Sequence, residues 1–168
     1  MSLEQIGMLV AEALKLVLPA YCANAAPVIF GGGAPLDFGK NFWDQRRIFG
    51  EHKTFRGFFA GLVIGTLVGV AESLVFEQYP VFSGVILALG ALFGDLAGSF
   101  LKRRIGLSPG APLPLVDQLD FVFGALLFAY TFTTPPWSLI ATAILLTLPI
   151  HFLTNVIAYA LGVKDKPW

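Results

Sequence analysis

The chain has 168 residues, of which 56% are hydrophobic and 13% charged, and its eleven basic and eleven acidic side chains cancel to zero net charge. Soluble domains carry roughly 25% charged residues, so this balance excludes an ordinary water-soluble domain and places the chain in a bilayer. A single cysteine, Cys22, excludes an intramolecular disulfide and a multi-cysteine metal site, and it is expected to be a small packing residue.

A helix needs about 20 apolar residues to cross hydrocarbon, and the stretches 9–30, 57–76, 81–101, 115–134 and 137–163 qualify. The sequence therefore predicts an all-α integral membrane protein of about five transmembrane helices, forming one domain over 1–168. The first stretch reads as a retained span, because Glu4 and Glu12 stand where a cleaved leader carries basic residues. Within it Lys15 follows Glu12 by three positions on the same helical face, which predicts an ion pair. In the second stretch Gly61, Gly65 and Gly69 form a small-x-x-x-small row suited to close helix approach. A groove for lipid tails is the other use of that face. His151, midway along the last stretch, reads as a hydrogen-bonded core residue facing Glu72.

Charge placement gives an orientation. Lys40, Arg46, Arg47, Lys53 and Arg56 lie between the first two spans, Lys102, Arg103 and Arg104 between the third and fourth, and Lys164 and Lys166 after the fifth. The connections at 77–80 and 133–136 hold no Lys or Arg. The positive-inside rule then predicts an N-terminus outside, with loops at about 31–56 and 102–116 and the C-terminus in the cytoplasm. Zero net charge thus conceals a cationic face on the side where nucleotides are available. Basic residues flanking spans serve topology and anionic headgroups, and no groove-reading motif accompanies them, so nucleic acid is not a predicted partner.

Three carboxylates break the apolar pattern. Asp95 ends one apolar run, within Gly94-Asp95-x-x-Gly98-Ser99-x-x-Lys102-Arg103-Arg104, and Asp117 and Asp120 begin the next. An ionisable group in hydrocarbon costs about 2.5–3.5 kcal/mol on insertion scales and usually marks a functional site. Asp95 precedes Lys102 by seven residues, which puts it roughly 10 Å inside the cytoplasmic boundary. Asp117 and Asp120 enter the following span from that boundary and, three apart, share a helical face. The short 102–116 connection makes those spans antiparallel neighbours, so the carboxylates are expected to converge. Oxygen ligands suit Mg²⁺ or Mn²⁺ better than zinc, and His52 in the basic loop and His151 midway along the last span, separated in sequence and in expected depth, make a poor ligand pair. Asn24 reaches a comparable depth, as a neutral oxygen ligand or a contact to a base. The competing reading, a helix N-cap at Asp117 and a buried polar contact at Asp95, serves one residue better than three.

The 31–56 loop is long for an unstructured connection, and Phe42, Trp43, Phe49 and Phe55 argue that it folds over something. Arg46, Arg47, Lys53 and Arg56 can neutralise phosphates, the guanidiniums through forked contacts. Gly31 to Gly33 permit close backbone approach or a hinge. Asp44 either orders this loop or joins the metal shell.

Asn24-x-x-Pro27, Pro35-x-Asp37-x-Gly39, Asp44-x-Arg46-Arg47-x-x-Gly50-x-x-Lys53-Thr54-x-Arg56-Gly57, the Gly94 to Arg104 motif, and Pro109-Gly110 through Pro114-x-x-Asp117-Gln118-x-Asp120 together resemble the archaeal CDP-archaeol synthase family over most of the chain. That family is similar to bacterial CDP-diacylglycerol synthases, whose Ser-x-x-Lys-Arg and Asp-Arg-x-Asp signatures correspond to Ser99-Phe100-Leu101-Lys102-Arg103 and Asp117-Gln118-Leu119-Asp120. Gln118 replaces the arginine, and the bacterial Lys-Asp and His-Gly-Gly elements are absent, which favours the archaeal branch.

The resemblance implies a multi-pass cell-membrane enzyme, its active site facing the cytoplasm. It implies CTP-dependent transfer of CMP to 2,3-bis-O-geranylgeranylglycerol phosphate, an isoprenoid ether-lipid phosphate, giving CDP-archaeol and pyrophosphate in phospholipid biosynthesis. Asp95, Asp117 and Asp120 would hold Mg²⁺ (or Mn²⁺), with Lys102 completing the catalytic set. Asn24, Arg46, Arg47, Lys53, Thr54, Arg56, Ser99, Arg103 and Arg104 would bind nucleotide and phosphate. An oligomer is compatible with the chain. Two other functions compete. A CDP-alcohol phosphotransferase would need an Asp-Gly-x-x-Ala-Arg motif with Gly-x-x-x-Asp-x-x-x-Asp, which is missing. A small cation or lipid transporter would leave the basic loop unexplained.

Overall fold

The computed structural model describes residues 2–76 and 78–166, and all of its regular structure there is helical: α1 (Leu3–Phe30), α2 (Phe55–Val75), α3 (Ser83–Arg104), α4 (Val116–Ala129) and α5 (Trp137–Ala160). The only extended pairing among the described residues is a pair of isolated bridges, Pro35 with Thr54 and Asn41 with Arg47. Four helices, α1, α2, α3 and α5, are long and apolar enough to cross a membrane.

The fourth expected span is shorter than its apolar stretch. α4 has 14 residues, about 21 Å of helix, against the roughly 30 Å of a hydrocarbon core. Its start is delayed by Pro112 and Pro114 and by Leu115, whose φ is 68°. Its end comes at Ala129, where the chain turns through Thr131 and Thr133 toward Pro135 and Pro136. At the other extreme, α1 begins earlier than its apolar stretch because Ser2 and Gln5 form a reciprocal capping box.

α1 is the central element and packs on all four other helices. It contributes Ala13, Leu16, Val17, Ala20 and Ala23 to a core completed by Leu87, Ala88, Ala91, Phe121, Val122, Ala125, Ile140 and Ala143. Small residues dominate because helices in lipid associate by close packing rather than by hydrophobic exclusion. The expected glycine row of α2 serves this purpose: a Cβ at Gly61 would lie 2.5 Å from the Ala23 carbonyl, and one at Gly65 would lie 2.7 Å from the Ala88 Cβ.

The Lys15 Nζ to Glu12 Oε1 pair forms at 2.8 Å, and Gln78 donates to the other Glu12 oxygen at 2.7 Å. His151, by contrast, does not turn to Glu72. Its ring stacks on Phe121 of α4, with centroids 6.1 Å apart, and it meets Asn155 one turn further along α5.

Candidate active site

The site begins with a glycine contact between α3 and α4. Gly90, Gly94 and Gly98 recur every fourth residue on α3, and a Cβ at Gly90 would sit 2.6 Å from the Gly124 carbonyl of α4. At Gly94 the added carbon would strike the Asp120 backbone carbonyl, and at Gly98 the Asp120 carboxylate itself. Backbone lies on backbone, so the first turn of α4 is brought beside Asp95 and its neighbours. Asp120 is placed within electrostatic reach of Asp95, Asp117 and Lys53.

Two lysines enter the same place. Lys53 immediately precedes Thr54, the N-cap of α2, whose hydroxyl accepts from the Gly57 amide at 3.1 Å. That cap fixes the direction of Lys53, whose Nζ reaches both oxygens of Asp95 at 2.6 Å. Lys102, in the last turn of α3, meets Asp117 Oδ1 at 2.6 Å, while Asp117 Oδ2 accepts the Leu113 amide at 2.8 Å. The cluster therefore consists of three carboxylates and two ammoniums drawn from the first loop, α3 and α4. Among the described residues, no three Asp, Glu, His or Cys side chains form a metal-holding group; Asp95 is paired with Lys53 and Asp117 with Lys102. The donors are all oxygen, the chemistry a hard divalent cation selects.

The first loop is ordered by a residue to which the sequence reasoning gave no role. Asp37 has a side chain wholly withdrawn from solvent. It accepts from Arg47 Nη2 at 2.5 Å and Nε at 3.1 Å, and from the amides of Gly39, Phe49 and Gly50 at 3.0–3.1 Å. Burial pushes its pKa up, but Arg47 and the three amides outweigh this and hold it far below the usual carboxylate range. Asp37-x-Gly39 carries the signature of an Asx turn, Asp accepting from the amide two residues on, which was the available signal. Arg47, expected at a phosphate, is thus committed first to Asp37.

The remaining basic residues tie the two loops together. Arg46 Nη1 donates to the carbonyls of Arg104 at 2.6 Å and Arg103 at 3.4 Å, at the negative end of α3. Arg104 bonds Asp44 at 2.6 Å and the Arg47 carbonyl at 2.6 Å, with its guanidinium over the rings of Phe42 and Phe100. Asp44 therefore orders the loop, the first of its two expected uses. Arg103 is buried, donates to the Ser108 carbonyl at 3.0 Å, and leaves its Nε without a partner. Arg46, Arg47 and Arg103 line a cavity of about 230 Å³ with Gly106, Leu107 and Pro109. Ser99 is buried on α3. Asn24, half-buried on α1, and Arg56, exposed in the first turn of α2, make no side-chain hydrogen bond or ion pair with the cluster among the described residues. The Thr54 hydroxyl is engaged as the α2 cap.

The family model described as CarS-like, CDP-archaeol synthase, matches residues 6–168. The chain belongs to the CDP-archaeol synthase family. Relatives named CDP-archaeol synthase include that of Pyrococcus furiosus, 49% identical over 162 residues and covering 94% of this chain and 97% of the relative. That of Methanopyrus kandleri is 50% identical over 161 residues, covering 94% and 92%. A solved intramembrane enzyme for archaeal membrane lipids biosynthesis superposes with a TM-score of 0.83 at 41% identity, over 88% of this chain and 94% of its own. The family assignment makes the chain an enzyme, and its long apolar helices make it a multi-pass membrane protein.

Proposed function

We propose that the whole 1–168 chain acts as one transmembrane cytidylyltransferase domain, transferring CMP from CTP to an unsaturated archaeal ether-lipid phosphate, 2,3-bis-O-geranylgeranylglycerol phosphate. An acceptor phosphate oxygen attacks the α-phosphorus of CTP, a P–O bond forms to give CDP-archaeol, and the bond to the β-phosphate breaks to release pyrophosphate. The observation that carries this reading is the junction of Asp95–Lys53, Asp117–Lys102 and Asp120 beside an arginine-lined cavity. The acceptor is already an anionic nucleophile, so the protein needs no activated Ser, Cys or His. Its task is to position two polyanions and offset their charge.

The division of labour follows from placement. Asp95, Asp117 and Asp120 would hold Mg²⁺ or Mn²⁺, which offsets phosphate charge and polarises the α-phosphorus. Lys53 and Lys102, released from their carboxylates, would turn to the nucleotide's phosphates. Arg46 and Arg103, with the outer edge of Arg47, offer forked donors around the cavity for the triphosphate and the departing pyrophosphate. The basic loops and this cavity face the cytoplasm in our reading, where CTP is dissolved, and the lipid enters laterally with its tails beside the helices.

Purified protein incubated with labelled CTP, the lipid phosphate and Mg²⁺ tests the proposal. Formation of a CDP-lipid with equimolar pyrophosphate is expected. Release of CMP from a supplied CDP-lipid and alcohol, without CTP consumption, would replace this reaction with phosphotransfer.

A further inference from the structure

α5 carries a polar row that the cluster described above does not use. His151 and Asn155 are one turn apart on the second half of α5, where Phe152, Leu153 and Ile157 are exposed. Asn155 Nδ2 lies 3.1 Å from His151 Nδ1, and Asn155 Oδ1 accepts from Lys164 Nζ at 2.9 Å. Lys164 lies beyond the end of α5, nine positions from Asn155, and reaches back because the helix ends in a reversal. Gly162 adopts a φ of 70°, its amide bonds the Tyr159 carbonyl at 3.0 Å, and the Val163 amide bonds the Ala158 carbonyl at 2.9 Å. This is the Schellman pattern, and the left-handed position is where glycine is favoured. The turn folds the lysine back along the helix.

The row faces the carboxylates. His151 stacks on Phe121, the residue after Asp120. Asp117 is within electrostatic reach of both His151 and Lys164, as are Asp95 for His151 and Lys53 and Lys102 for Lys164. Among the described residues α5 packs on α1 and α4 and not on α2 or α3, so it borders the cluster from the α4 side. The arginine-lined cavity lies on the loop side, between Arg46, Arg47 and the Arg103–Pro109 segment. None of the α5 residues lines that cavity. Polar side chains in lipid are costly unless they serve a partner, and here each serves the next.

We propose that the His151–Asn155–Lys164 row positions a cation for the phosphate of the acceptor lipid. Lys164 makes the phosphate contact, and Asn155, oriented by His151, is the positioning residue that sets the ammonium on the lipid-facing flank of the carboxylates. The inference rests on the cytidylyl-transfer reading in that it names which of the two substrates Lys164 serves.

Steady-state kinetics in mixed micelles, varying the lipid phosphate and CTP separately, tests it alongside equilibrium binding of a dialkylglycerol phosphate and of the phosphate-free dialkylglycerol without CTP. Lys164→Ala should raise the lipid-phosphate KM about tenfold, the loss of one charge-assisted hydrogen bond, with the CTP KM unchanged. Lys164→Arg should recover most of it. Asn155→Ala, and His151→Phe, which keeps a ring against Phe121, should raise the same KM by about threefold. Adding either to Lys164→Ala should produce no further increase, because the three act as one unit. Binding of the phosphate lipid should weaken in step and binding of the dialkylglycerol should not change. An unchanged lipid KM and lipid affinity in Lys164→Ala would overturn the inference, as would an increase confined to CTP or effects that multiply independently. If the wild-type protein forms no CDP-lipid, the reaction reading fails by itself, and the comparison of phosphate lipid with dialkylglycerol still decides the role of Lys164.

Discussion

Asp37→Asn is the substitution whose consequence can be worked out most fully from geometry. It preserves volume and removes one acceptor oxygen from a side chain that no solvent reaches. Oδ1 accepts from the Gly39 amide and Arg47 Nη2; Oδ2 accepts from Arg47 Nε and the amides of Phe49 and Gly50. An asparagine NH₂ in either position points at two or three donors, so no amide flip rescues the site. Losing a hydrogen bond in which one partner is buried costs about 1–3 kcal/mol, and two such losses amount to about 2–6 kcal/mol, enough to release the loop between α1 and α2. The helices do not depend on Asp37. Thermal unfolding of the bundle should therefore shift little, while limited proteolysis between residues 31 and 54 should accelerate on the order of a hundredfold or more and CMP transfer should fall by a comparable factor, since Lys53 leaves with the loop. Wild-type protease resistance together with wild-type turnover would refute the reasoning.

Three other outcomes are expected. Because Arg47 and the amides depress the Asp37 pKa, the carboxylate is charged in both folded and unfolded chains above roughly pH 4 and its stabilisation is complete there; it is lost only as pH falls below that value. Loop protection followed with an acid-tolerant protease should be flat from neutrality to about pH 4 and decline below, and a decline already under way at pH 6 would contradict the assignment. Asp120→Asn should abolish turnover, measured as CDP-lipid formation, in a protein that still extracts and elutes as wild type, and near-normal activity would remove Asp120 from the site. Gly98→Ala and Gly94→Ala should separate by mechanism. The first displaces the Asp120 carboxylate, so it should lower activity with little change in Tm, whereas the second meets backbone and should cost about 1–3 kcal/mol of stability by overpacking.

The helical class and the spans other than α4 were legible in the sequence because hydropathy and helical spacing are local signals; the same signals pointed to Asp95 and Asp117, which lie within electrostatic reach of Asp120, although no metal-holding group forms among the described residues. Where α4 begins was not, since Leu115 and the prolines before it shape a loop whose path depends on what lies beneath. The lysine partners of Asp95 and Asp117 were also hidden. Lys53 and Asp95 are 42 positions apart, and no periodicity reports which cation a buried carboxylate meets. His151 was misdirected toward Glu72 for the same reason: depth along a span can be counted, but which neighbour a face meets depends on helix rotation. The Asp37 hub had a readable local turn, yet its importance lies in contacts with Arg47, Phe49 and Gly50, ten to thirteen positions away.

Arg104 has a wider consequence than its contacts suggest. Its guanidinium, fixed at the end of α3, carries the carbonyls of Arg46 and Arg47 and the carboxylate of Asp44 while lying against Phe42 and Phe100. The first loop is thereby tied to α3 by a set of contacts separate from the Asp37 hub. In the function proposed above, a soluble anion reaching the arginine-lined cavity would therefore pass beside a loop fastened to α3 at Asp44, Arg46 and Arg47.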